Sequence, residues 1–266
     1  AASDVYKRQR VYDIILAKNR RSVMKHLLHL SYLGTNYCGF QVQPNGNTVQ
    51  AELQKAATRL FCTACGITGC SRTDSGVHAL EYAAVLEEHG TSVIPEESVP
   101  RAMNTYLPQD ISVFRSETVP DDFSIRRYVV GKEYLYLIWN GEYRNPFYTD
   151  RALFYPRELD MEKILEALPH FLGTHDFRAF MASGSEIAET TRTITDIRAE
   201  REGDFVRIFV SADGFLYNMV RIIVGTLIKV GQGQLEPAEI PKIIDGKNRE
   251  LAGPTAPAPV SYTHLR

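Results

Sequence analysis

The chain has 266 residues, 44% of them hydrophobic and 23% charged, with a formal net charge of −2. This is the composition of a globular protein with one large domain or two ordinary ones. It excludes nucleic-acid binding by bulk basicity, though not by a local basic groove. The longest apolar run, around 219–230, is cut by Arg221 and Lys229 and does not reach the length of a membrane span. Four cysteines point to a reducing compartment, the cytoplasm, rather than to a disulfide framework. Cys62 and Cys65 have C-x-x-C spacing, but no second ligand pair follows, as a zinc site requires. The pair also closes a helix, whereas a dithiol site opens one, so no metal or redox role is expected.

Residues 1–23 are basic and weakly periodic and read as a leader outside the fold, with Asp4 and Asp13 arguing against a targeting segment. Residues 25–33 predict a strand, followed by a Gly/Asn-rich loop. His26 and His29, three apart on that strand, face opposite sides. Thr48 is placed as a helix N-cap, ahead of the stripe Val49, Leu53, Ala56, Ala57, Leu60 and Phe61. A short strand near 66–70, a polar loop, a strand at 81–87, a helix around 96–106 and a strand at 110–119 follow. The order β-α-β-β-α-β is that of a ferredoxin-like unit.

The polar, turn-like stretch near 120–130 separates this half, 24–120, from a second, 121–258. There a strand is predicted at 132–140, a helix at 159–172 and a hairpin of 192–202 with 204–212 around Gly203. A strongly apolar helix at 215–230 and a shorter one at 237–245 complete it. The expected fold is α+β: two ferredoxin-like halves with mainly antiparallel sheets and an active-site cleft between them.

The stretch GCSRTDSGVHAL at 69–80 stands out. Asp74 lies among small, turn-forming residues with almost no hydrophobic cover, the pattern of a loop carrying a reactive group between core strands. Arg72, two positions earlier, shares its side in an extended chain and is expected to hold the carboxylate ionised. Alone, an Arg-x-Asp is more often a surface ion pair, so partners are needed. Arg221, inside FLYNMVRIIVGTLI, is a charge in apolar surroundings and requires an acidic partner, for which Asp74 is the candidate. A purely structural pairing across the seam explains it equally well. Lys132, Tyr134 and Tyr136 form a same-side row of one cation and two aromatics. Such a row suits base stacking and phosphate binding, although alternate tyrosines are more often half-buried core. Arg126, Arg127, Arg178 and Arg192 add positive charge.

GTNYCGFQVQ, GCSRTDSGVHAL, LPQDI, KEYLY, LGTHDF, GFLYNMVRIIVGTLIKVG and AGPTAPA, in this order over about 28–257, resemble the motifs of the tRNA pseudouridine synthase A family. The resemblance implies the pseudouridine synthase fold and isomerisation of uridine to pseudouridine in the tRNA anticodon stem-loop, at nucleotides 38–40. It implies Asp74 as catalytic residue and Arg72 as its motif arginine. It further implies Tyr134 stacking on the target base, Arg221 paired with the aspartate, and Arg126 as a substrate-binding arginine. A homodimer with tRNA lying across both subunits is implied as well. Ser124 and Ile125 replace the usual His-Ala before Arg126, and Ser75 replaces an alanine. After Pro259 the family continues into a final strand. Residues 259–266 lack the expected alternation and read as a foreign or disordered tail, which would leave a sheet edge unpaired.

The chemistry needs no cofactor or metal, because no oxidation, hydrolysis or phosphoryl transfer occurs. An ionised carboxylate can attack sugar or base, or remove a sugar proton. Two rivals differ from this reading. The triplet Asp74-Ser75-Gly76 resembles that of aspartic proteases, but no second D-[ST]-G exists. A non-catalytic RNA-binding module would use the aromatics and arginines and have no need of Asp74.

Overall fold

The computed structural model describes residues 23–44, 46–89, 94–184, 187–258 and the backbone of 261–265. The expected leader thus falls almost wholly outside the described residues. The first half runs β1 (Met24–Tyr32), α1 (Val49–Phe61), β2 (Cys65–Gly69), β3 (His78–Glu88), α2 (Val99–Asn104) and β4 (Ile111–Val119). This is the expected order. Thr48 caps α1, its hydroxyl oxygen accepting from the Ala51 amide at 3.3 Å. Alternation along β1 buries His26, Leu28, Leu30 and Tyr32 and leaves His29 on the opposite face. Helix α2 is shorter than expected because residues 96–98 form a 3₁₀ turn ahead of it.

A one-turn helix, α3 (Ile125–Tyr128), occupies the expected boundary. The second half contains β5 (Lys132–Trp139), β6 (Leu153–Phe154), α4 (Met161–Ala167), β7 (Gly173–Asp176), β8 (Thr191–Glu202), β9 (Phe205–Ala212), α5 (Met219–Gly231) and α6 (Ile240–Gly246). The β8–β9 hairpin turns at Gly203, whose φ of +56° is the left-handed conformation glycine tolerates. Two short strands, β6 and β7, have no sequence period long enough to reveal them. Each half has its own apolar core, one under α1 and α2, the other around α4, α5 and α6.

The last strand departs from expectation. Backbone residues Ser261–Leu265 form β10, parallel to β3 and antiparallel to β5. The edge expected to be bare is therefore paired, and one ten-stranded sheet runs β4-β1-β3-β10-β5-β9-β8-β7 across both halves, with β2 on β3 and β6 on β5 off this path. A strand inserted between two edges satisfies backbone donors and acceptors on both sides, which does not require side-chain alternation. Every pairing along that path is antiparallel except β10 with β3. β10 meets β3 at His78 and Ala79, immediately after the Asp74 loop, and meets β5 at Tyr134. The seam of the sheet thus lies beside the polar loop.

Candidate active site

The loop before β3 is fixed to the loop before α1. The Tyr37 carbonyl accepts from the Gly76 amide at 3.2 Å and from the Ser75 hydroxyl at 3.2 Å. The Thr73 carbonyl accepts from the Phe40 amide. Gly39 and Gly76 have φ of +84° and +81°, and a Cβ on Gly39 would overlap the Thr73 carbonyl. Beneath the loop, Tyr32 and Thr73 share a buried hydroxyl–hydroxyl hydrogen bond of 2.9 Å. The Tyr82 hydroxyl donates to the Ser71 carbonyl and accepts from the Ser71 amide, while its ring stacks on Phe40. Asp74 is therefore held by a turn braced on buried aromatic rings.

Arg221 reaches it from the first turn of α5. Its Nη1 lies 3.5 Å from Asp74 Oδ2, with the two side chains 19% and 31% exposed. Nε donates to the Ala256 carbonyl at 2.6 Å and Nη1 donates to Asn218 Oδ1 at 2.7 Å. Helix α5 starts four residues later than its apolar pattern suggests, because Asn218 sits in the left-handed region at φ +58°. The small residues of AGPTAPA allow the 252–258 segment to press on α5. A Cβ on Gly225 would overlap the Pro254 carbonyl, and Thr226 Oγ1 accepts from the Gly253 amide at 2.8 Å.

A cavity of about 770 Å³ opens here, lined by Arg72, Asp74, Val77, Lys132, Tyr134, Phe215 and Arg221 among others. The Tyr134 ring meets Phe215 edge-on, centroids 5.0 Å apart. Burial raises the Asp74 carboxyl above its ordinary value, and Arg221 opposes that rise by charge and hydrogen bonding. Burial also raises the Tyr134 phenol, with the Asp74 charge adding to the effect. The Lys132 ammonium is pushed down first by burial, against the pull of Cys70, and further by Arg126 and Arg192. Lys132 thus lies within electrostatic reach of both arginines.

Arg72 is exposed and is not the partner of Asp74; Arg221 is. Arg72 instead faces both the main cavity and a smaller one of about 290 Å³ that also carries Arg126. Tyr136, the third member of the expected row, is fully buried and donates to the Pro257 carbonyl at 3.0 Å. Among the described residues no group of three His, Cys, Asp or Glu is placed to hold a metal ion, and no helix is long and apolar enough to cross a membrane. Asn218, Phe215, Tyr32 and Tyr82 went unremarked in the sequence. Only Asn218, a polar residue at the start of an apolar helix, carried a signal.

One carboxylate, an aromatic wall and several cations at the seam of two α+β halves define a site for an anionic ligand that bears a flat ring. A family model described as tRNA pseudouridine synthase matches residues 29–126 and 167–264, about three quarters of the chain. A protein of Clostridium perfringens named tRNA pseudouridine synthase A 2 is 44% identical over 230 residues, covering 86% of this chain and 93% of its own. One of Ruminiclostridium cellulolyticum, named tRNA pseudouridine synthase A, is 44% identical over 236 residues, covering 88% and 96%. The chain belongs to the tRNA pseudouridine synthase family, a family of isomerases. A solved archaeal box H/ACA Nop10–Cbf5 complex aligns with 76% of this chain and 44% of its own at 15% identity, with a TM-score of 0.36, too loose to inform the site.

Proposed function

We propose that the protein isomerises uridine to pseudouridine in the anticodon stem-loop of tRNA, at nucleotides 38–40, with Asp74 as the catalytic residue. The observation that carries this reading is the Asp74–Arg221 pair, 3.5 Å apart, in one cavity with Tyr134. In the reaction the N1–C1′ bond breaks, the base turns, and a C5–C1′ bond forms. C5 loses a proton and N1 gains one, so the atoms balance without an oxidant or a second substrate. An ionised Asp74 serves attack at the sugar, addition to the base and removal of a sugar proton alike. Arg221 supports that ionised form against the cost of burial.

The target base must leave the stack to reach Asp74, and Tyr134, braced by Phe215, offers a face to receive it. The cavity is of the size that takes a small ligand, about 300–1,000 Å³. Arg72, Arg126 and Lys132 supply positive charge for the phosphates, so binding weakens with salt. The protein acts in the cytoplasm as a homodimer, with one tRNA across both subunits. Carbodiimide labelling and primer extension on treated tRNA test the reading. Reverse-transcription stops confined to the anticodon stem-loop support it, and stops elsewhere or none overturn it. Light scattering at increasing concentration tests the dimer.

A further inference from the structure

Arg221 is held at three points, and two of them lie outside its pairing with Asp74. Its Nε is fixed on the Ala256 carbonyl, which in turn lies on a segment hydrogen-bonded to α5 through the Ala256 amide and the Arg221 carbonyl at 3.0 Å. With Nε anchored, the remaining freedom of the guanidinium carries Nη1 toward or away from Asp74. Nη1 makes its short contact with Asn218 Oδ1, at 2.7 Å, and a long one with Asp74, at 3.5 Å. A free arginine–carboxylate pair closes to about 2.7–2.9 Å. The competing acceptor explains why this one does not.

We propose that Asn218 is a positioning residue for Asp74 that acts through Arg221, holding Nη1 back so that the guanidinium faces the carboxylate without clamping it. A carboxylate caught in a closed pair has its lone pairs occupied and reacts poorly. One left to a distant charge is kept ionised while an oxygen remains free. The left-handed backbone at Asn218 suits the role, because asparagine, aspartate and glycine adopt it far more readily than other residues. The charged and titratable groups around Asp74 are Arg221 from α5 and Tyr134 from β5, with Arg72 and Lys132 on the cavity wall and Cys70 near Tyr134. Among the described residues, Asn218 is the side-chain acceptor on Arg221 besides Asp74 itself.

The inference rests on Asp74 being the reactive group, but its test is separable from that reading. Asn218→Gly keeps the turn and removes the acceptor, while Asn218→Asp keeps both and binds Arg221 more strongly. The titration of Asp74 is followed by its carboxyl carbon resonance, assigned by its loss in Asp74→Asn. Its midpoint is expected to fall by about half a pH unit or more in Asn218→Gly, where the pair closes, and to rise in Asn218→Asp. On tRNA, Asn218→Gly is expected to lower kcat about tenfold with little change in KM, as displacement of a reacting group does, and Asn218→Asp to show its acid limb at higher pH. A midpoint unmoved in both variants, or moved in the same direction in both, overturns the proposal, whatever Asp74→Asn does to activity. Thermal melts of both variants confirm that the fold is retained.

Discussion

The wall of the cleft that carries Asp74 is made of turns, and the wall that carries Arg221 is the start of an apolar helix. On the first wall, position is set by backbone hydrogen bonds between two loops and by close approach at Gly39, with buried tyrosines as a floor. On the second, it is set by side chain to carbonyl bonds from Arg221 and by the interlock of Gly225 with Gly253 and Pro254. The first wall presents a charge that would otherwise be solvated, and the second a charge that would otherwise be buried. Each supplies what the other lacks, since burial alone disfavours the carboxylate and an apolar helix alone disfavours the guanidinium.

The helical wall is the easier to break. Gly225→Ala places a methyl group against the Pro254 carbonyl within backbone that cannot yield cheaply. We expect a loss of about 3 kcal/mol in urea unfolding, at the upper end of overpacking costs. Gly39→Ala adds a left-handed alanine to a clash with the Thr73 carbonyl. A loss of about 2 kcal/mol, with turnover falling alongside, is expected there. Removing one charge while keeping shape probes the pairing itself. Arg221→Met should leave the helix in place and lower kcat roughly a hundredfold, as loss of one preorganised charge contact does. An unchanged kcat would reduce the pair to a structural seam.

The aromatic face separates recognition from reaction. Tyr134→Phe preserves the ring against Phe215 and should change KM little. Tyr134→Leu removes a stacking surface worth about 1–3 kcal/mol and should raise KM by roughly 10- to 100-fold. The smallest effect is one of pH. The raised Asp74 carboxyl binds its proton more tightly in the fold than in the unfolded chain. Its contribution to stability therefore declines as pH rises from near 3.8 through the raised value. Asp74→Asn should then melt higher than the parent, by a margin that widens as pH rises from near 3.8 through the raised value. His26 runs the other way: buried against Phe61, it is held neutral and its pKa lies below 6.5. Stability falls as the unfolded chain takes up that proton below 6.5, and His26→Leu should flatten that decline.

Much of this was legible in residues 69–80 and 215–230, because each breaks its own local pattern. A carboxylate without cover and an arginine without solvent both demand a reason, and the reasons meet at 3.5 Å. Arg72 shares the cavity with Asp74, but the charge paired with the carboxylate comes from Arg221, a partner that spacing along one strand does not reveal. Tyr136 follows the plainer of the two readings of the tyrosine row, as core, because alternation shows which face a residue shares but not how deep it lies. β10 was missed because a strand between two open edges is selected by its backbone, which residue types barely record. Asn218 shows in the sequence only as a polar residue at the start of an apolar helix, and its left-handed backbone and the Arg221 atom it accepts from supply the rest.

The most direct test of the central claim is tritium release from tRNA carrying uridine labelled at C5, comparing the native chain with Asp74→Asn at equal tRNA binding. Release by the native chain and none by the variant is expected. Equal release from both would remove Asp74 from the chemistry, and retained binding with no release from either would leave an RNA-binding module in place of an isomerase.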